Sequence, residues 1–145
     1  MNFTYHHRIT WGDCDMQKIV WNPNYFGFCD NGIDVWVRLA LAPELAKIGP
    51  DAEFHDLGFD FMLKSTTMTW SSSAKYGDVL SIDMEISRWG NTSFDVHMVG
   101  HVGDRSCIEA TFIYVSTDPV TARPAPIPEF FKQAMVRDIP AQSDF

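Results

Sequence analysis

The fold turns on one stretch, "NPNYFGFCDNGIDVWVRLAL", Asn22 to Leu41. Asn22 is a good helix N-cap and Pro23 suits the first helical position. From Pro23 to about Leu41 the composition is that of a helix, with Pro43 and then Gly49-Pro50 expected to end it. On a helical wheel Gly27, Asp30, Asn31, Asp34 and Arg38 fall on one narrow stripe. Nearly everything else is apolar, including Tyr25, Phe26, Phe28, Ile33, Trp36 and Leu39. A surface helix carries an apolar stripe on a polar cylinder. Here the proportions are inverted, so the helix must be covered on most sides. Gly27 and Gly32 each cost about 1 kcal/mol relative to Ala, which suggests close backbone packing at both.

What covers the helix is legible on either side of it. Phe3 to Thr10 reads as a strand and Trp11 to Asn22 as a loop. Gly58 to Trp70 is strand-rich, with Phe59, Phe61 and Leu63 sharing a side. Val79 to Arg88 alternates, with Leu80, Ile82, Met84 and Ile86 against Ser81, Asp83, Glu85 and Ser87. Ser93 to Val102 alternates too, and Cys107 to Thr117 reads as a longer, more apolar strand. Gly77-Asp78, Gly90-Asn91 and Gly103-Asp104 mark turns. Pro128 to Val136 reads as a short terminal helix. The expected architecture is α+β: one long helix followed by four strands in hairpins, an antiparallel sheet curled around the helix.

The 145 residues suit one domain, and 46% hydrophobic with 14% aromatic content is enough for a core. No apolar run reaches about 18 residues, so no membrane span is expected. "MNFTYHHRIT" lacks a basic region followed by an apolar one, so no signal peptide is expected. Three widely spaced cysteines, Cys14, Cys29 and Cys107, fit a reducing compartment. The expected location is cytoplasmic. A formal charge of −8 argues against nucleic acid or an anionic membrane as partner. His6 and His7 are adjacent on a strand and point to opposite faces. His55, His97 and His101 lack metal-ligand spacing, so no metal or other cofactor is expected. No nucleophile elbow or phosphate-cradling glycine loop occurs.

The blocks "WGDCD", "IVWNPNYF", Asp30, "KYGDVLSID" and "RWGNTSF" together resemble the 4-hydroxybenzoyl-CoA thioesterase branch of the hot-dog acyl-CoA thioesterases. The likeness runs from about Ile9 to Phe94 and continues weakly through "EATFIYVSTDPVTARPAPIP". It implies a hot-dog fold and hydrolysis of an acyl-CoA thioester. It also implies a homodimer or homotetramer with sites at the subunit interface. An open sheet edge and a helix that is apolar nearly all round call for the same pairing. By resemblance Asp15 is the catalytic carboxylate, either nucleophile or general base. The start of the helix supplies the oxyanion hole, with N–H donors at Asn22 and just beyond Pro23. Relatives often carry Tyr or His where this chain has Asn22. Asp13 reads as a cap for the loop.

The substrate-binding candidates are Trp21, Asp30, Phe59, Phe61 and Arg88. Asp30 either faces a hydroxyl of the acyl group or is solvated or paired at a subunit contact. Phe54 to Phe61 would line the partner's acyl pocket. Phe26, Phe28, Trp36, Phe59, Phe61 and Met62 suit an aromatic or medium apolar acyl group and equally an ordinary core. Arg88 leads Lys75, Arg105 and Arg123 as a contact for CoA phosphate, and Trp89 beside it stacks on adenine or simply packs. Two other readings stay open. A hot-dog hydratase or dehydratase needs a His closer to its acid than His55 is to Asp15. A non-catalytic acyl-thioester binder would use the same pocket.

Overall fold

The computed structural model describes residues 2–145. The elements are β1 (Phe3–Arg8), α1 (Asn24–Ile48), β2 (Asp60–Trp70), β3 (Val79–Trp89), β4 (Ser93–Val102), β5 (Arg105–Thr117), α2 (Glu129–Met135) and β6 (Gln142–Ser143). Short 3₁₀ turns occupy Trp11–Asp13 and Phe54–Leu57. The strands form one sheet in the order β2-β5-β4-β3-β1-β6. The alternating residues fall where the pleat puts them. Leu80, Ile82 and Met84 on β3 are buried on the helix side, with Phe94, Val96 and Met98 on β4. This is the hot-dog arrangement, a curled sheet packed on one long helix.

The connections depart from a simple run of hairpins. β3, β4 and β5 do form a meander, but β2 pairs antiparallel with β5, not with β3. Residues 71–78 therefore carry the chain from one edge of the meander to the other. β1 joins on the far side of β3, with Tyr5 opposite Ile82. The short β6 adds parallel to β1. β2 is left as an open edge of 11 residues. A bulge between Leu63 and Ser65 shifts its register. Phe59 is buried, Phe61 is half-buried, and Leu63 is 48% exposed as the strand approaches the open side.

α1 runs further than expected. Pro43 stands inside it, and the helix ends only at Ile48, before Gly49. Proline removes one helical N–H and crowds the carbonyl four residues back. Pro43 lies on the exposed side of α1, and Arg137 Nη2 donates to the Ala40 carbonyl in the preceding turn at 2.6 Å. Tyr25, Phe28, Cys29, Gly32, Ile33, Trp36, Val37, Ala40 and Leu41 make the buried stripe. Full burial of a side chain such as Ile33 or Leu41 is worth about 1.5–3 kcal/mol. One broad face is covered, not most sides. The two glycines separate accordingly. A Cβ at Gly32 would overlap Met84 Cε and come within 3.2 Å of Tyr5 Cβ, whereas a Cβ at Gly27 would meet nothing within 4 Å.

Candidate active site

The loop between β1 and α1 is held by its own polar groups. Asp13 Oδ2 accepts from the Thr10 N–H at 2.8 Å and pairs with His7 Nε2 at 2.8 Å. The other ring nitrogen of His7 meets Asp144, and the ring stacks on Phe28 with centroids 4.1 Å apart. Burial pushes the Asp13 carboxyl up, but the bonds from Thr10 and His7 outweigh it and hold the group below its ordinary 3.8. The Asp13 carbonyl accepts from the Trp21 N–H at 3.0 Å and from Asn24 Nδ2 at 2.9 Å. Asp13 thus clasps both ends of the loop, in the capping role read from the sequence.

Asp15 sits at the turn that this clasp creates. Cys14 and Val20 bridge antiparallel, and the Asp15 N–H donates to the Ile19 carbonyl at 3.0 Å. Lys18 takes a left-handed conformation, with φ of 66°. One Asp15 oxygen accepts from the Gln17 N–H at 2.8 Å, an Asx turn. The residue is half-buried in a cleft of about 560 Å³ lined by Trp11, Cys14, Lys18 and Tyr76. Trp11 and Tyr76 lie in the blocks "WGDCD" and "KYGDVLSID", but nothing local joins residue 76 to residue 15. Lys18 carried no readable signal, because its left-handed turn follows from the bridge around it. Burial and the neighbouring Asp13 push the Cys14 thiol up, so it is a poor nucleophile despite its position.

The helix start differs from expectation. The cap position is Pro23, and no side chain caps the helix. Asn22 is exposed and its side chain performs no capping, since Pro23 continues the helical backbone from the turn at Trp21–Asn24. The N–H groups of Asn24, Tyr25 and Phe26, beyond Pro23, are engaged by the carbonyls of Trp21, Asn22 and Pro23. Among the described residues, the Asn22 N–H donates to no protein acceptor. It is the open donor at this end of the helix.

The substrate-binding candidates fall in separate places. Asp30 and Phe61 line one cavity of about 500 Å³ between α1 and the segment leading into β2, with Ile33 and Phe54. Trp21 is 55% exposed beside Asn22. Phe59 lies behind the cavity in the aromatic core, its ring 4.7 Å from that of Phe131. Arg88 is engaged by Asp95 through Nε at 3.0 Å and Nη2 at 2.9 Å, and by Ser93. Hydrogen bonding to Asp95 and its charge push the Arg88 pKa up. Arg105 likewise bonds Ser72 and Ser73. Among the described residues no His, Cys, Asp and Glu group could hold a metal ion. Among the described residues no helix is long and apolar enough to cross a membrane.

The sequence profile of the thioesterase-like superfamily matches residues 9–135. The 4-hydroxybenzoyl-CoA thioesterase of Pseudomonas sp. (strain CBS-3) is 31% identical over 94 residues, 64% of this chain and 63% of that protein. The chain therefore matches somewhat less than two thirds of that relative's length. A solved 4-hydroxybenzoyl-CoA thioesterase variant, complexed with 4-hydroxybenzoyl-CoA, superposes with a TM-score of 0.77 at 24% identity, covering 91% of this chain and 96% of that one. A 1,4-dihydroxy-2-naphthoyl-CoA thioesterase from Synechocystis gives 0.73 at 19% identity, covering 92% and 94%. The structural likenesses establish the fold, and the profile, spanning all but the two ends, establishes that the chain belongs to the thioesterase-like superfamily.

Proposed function

We propose that this protein hydrolyses an aryl-CoA thioester to the free acid and CoA. The observation that carries the reading is Asp15, half-buried in a cleft on the loop that leads into α1, with an unengaged N–H at Asn22 at the start of that helix. Attack on the thioester carbonyl places negative charge on its oxygen. The Asn22 N–H and the positive end of α1 stabilise that charge, one such donor being worth about 2.7–4 kcal/mol. Asp15 attacks the carbonyl carbon itself or takes a proton from the attacking water. Collapse of the tetrahedral species breaks the carbon–sulfur bond and releases CoA as thiolate, which is then protonated; the water route leaves the free acid directly, and the direct route leaves an Asp15 mixed anhydride that water hydrolyses to the acid and the restored carboxylate.

The relatives bearing the names 4-hydroxybenzoyl-, 1,4-dihydroxy-2-naphthoyl- and gentisyl-CoA thioesterase support an aromatic acyl group. Asp30, Ile33, Phe54 and Phe61 supply a cavity of suitable character for it. CoA itself lies over the exposed Trp21, with its phosphates toward Lys75 on the neighbouring loop, where the Val20 N–H meets the Ala74 carbonyl, while Arg88 is held by Asp95 and Ser93 at the other end of β3. The working unit is a homodimer, or a pair of such dimers, in which a second copy covers the β2 edge and the exposed Leu39, Met62 and Leu63. The test is a panel of aromatic, medium-chain and short-chain acyl-CoA thioesters followed by thiol release. Turnover of the aromatic members is expected. Tight binding of these thioesters without release of CoA refutes hydrolysis and identifies a binder.

A further inference from the structure

His7 lies near the end of β1, opposite Leu80 of β3, so its backbone belongs to the sheet. Its side chain reaches out of the sheet to the loop that carries Asp15. Nε2 meets the Asp13 carboxylate at 2.8 Å, and Nδ1 meets Asp144. The side chain is 12% exposed, and its ring stacks on Phe28 of α1. Asp144 is itself fixed. It accepts from Tyr5 Oη at 3.1 Å and from the Arg8 N–H at 3.4 Å, and its own N–H donates to the His6 carbonyl at 3.1 Å. Both ring contacts are hydrogen bonds when each ring nitrogen carries a proton. His97 also stands between two acids, Glu85 at 3.5 Å and Glu109 at 3.4 Å, but these are neighbours on adjacent strands and hold no loop. What sets His7 apart is what lies beyond Asp13. The Asp13 carbonyl accepts from the Trp21 N–H and from Asn24 Nδ2, the residues on either side of Asn22 and Pro23, and Asp15 is two residues on. A tie from the sheet to Asp13 therefore fixes the carboxylate and the open N–H donor relative to each other.

We propose that His7 is a positioning residue, which holds the Asp13 carboxylate from β1 and so keeps Asp15 and the Asn22 N–H in place for attack on the thioester. The inference rests on the thioesterase reading and deepens it. His7 is absent from the lining of the Asp15 cleft, so it acts through Asp13 and not on the reacting atoms. Misplacing a reacting group by about 1 Å costs as much as about 10²-fold in rate. Such a loss falls on kcat, because the surfaces that bind the acyl group and CoA are elsewhere.

The experiment compares His7→Asn with His7→Gln on the best substrate of the thioester panel. Both variants lose the ring that stacks on Phe28. A glutamine amide nitrogen reaches the place of Nε2 and still donates to Asp13, whereas an asparagine amide nitrogen reaches only the place of Nδ1, toward Asp144. His7→Asn is expected to lower kcat by at least about tenfold with KM within about twofold, and His7→Gln to recover most of that loss, while the two variants share a similar Tm. Equal kcat in the two variants, or a loss that follows Tm or falls on KM, overturns the assignment. A second arm follows amide hydrogen exchange at Asp15 and Trp21, whose N–H groups donate to the Ile19 and Asp13 carbonyls. Exchange at both is expected to quicken in His7→Asn and not in His7→Gln. Unchanged protection in His7→Asn overturns the positioning role. If wild type releases CoA from no member of the panel, the thioesterase reading fails, and the exchange arm still decides whether His7 holds the loop.

Discussion

Tyr25, Cys29, Gly32, Trp36 and Ala40 meet the sheet with almost no surface left, while Gly27, Asp30, Asp34, Arg38 and Leu39 on the opposite side of the same helix meet solvent. On the first face a methyl group at Gly32 would have to push the Met84 terminal methyl aside and press on Tyr5. On the second, cavities of about 500 and 540 Å³ open beside Asp30 and Leu39. The comparison teaches where α1 serves stability and where it leaves space for a ligand or a partner. The packed face leaves no space for a ligand. The outward face retains apolar residues without cover, and a second surface is what they require.

The largest effect belongs to the helix start. Asp15→Asn is expected to lower kcat by at least about 10²-fold with little change in Tm, because an Asn oxygen can still accept from the Gln17 N–H. Steady-state kinetics with a melting curve decide it, and a near-wild-type rate sinks the assignment. Next comes the outward side. Light scattering at micromolar protein is expected to give at least twice the chain mass. Leu63→Lys, on the open edge strand, is expected to shift the protein to monomer and cut activity more than about tenfold. A fully active monomer refutes the need for a second copy.

The glycines sharpen the contrast between faces. Gly32→Ala is expected to destabilise by about 1–3 kcal/mol through overpacking on Met84. Gly27→Ala is expected to stabilise by about 0.4–1 kcal/mol. Urea melts on both variants measure the difference, and a loss at Gly27 would place a partner's backbone against it. Asn22→Ala has the smallest effect. It keeps the N–H and removes a side chain that caps nothing, so kcat is expected to fall less than about tenfold, a loss smaller than removal of a full oxyanion contact. A loss of 10²-fold or more with an unchanged melting curve shows that the side chain itself is chemical.

Sequence pattern located most of this because most of it is local. β3 and β4 could be bounded closely, since period-2 alternation and the turns at Gly90 and Gly103 are written in adjacent residues. The place of Asp15, on the loop leading into α1, was legible through its motif and the helix that follows; its chemical role rests on the resemblance. What escaped depends on distant partners. The extension of α1 through Pro43 is accompanied by a guanidinium at Arg137, far along the chain. Asn22 looks like a cap, but the 2.8 Å bond from the Asn24 N–H to the Trp21 carbonyl closes a turn that carries Pro23 into the helix, and that turn is held from a distance by the Asp13 carbonyl through the Trp21 N–H at 3.0 Å. The cleft joins Tyr76 to Asp15 only after β3 has aligned beside β1. His7 reads as one of two adjacent strand histidines, and only the fold sets its ring between Asp13 and Asp144.

The pairing of β2 with β5 also sets an order in time. β3, β4 and β5 close on one another through short loops, whereas β2 reaches β5 only across the whole meander. Closure entropy and contact order both delay such a pairing. A refolding chain is therefore expected to protect the amides of β4 before those of β2. Pulse-labelled hydrogen exchange reads that order, and simultaneous protection would contradict it. During the interval the bare edge belongs to β5, and β2 from another chain fits it as well as the chain's own. At high concentration, refolding then produces strand-exchanged pairs, whose abundance rises with protein concentration and falls as β2 docking is made faster.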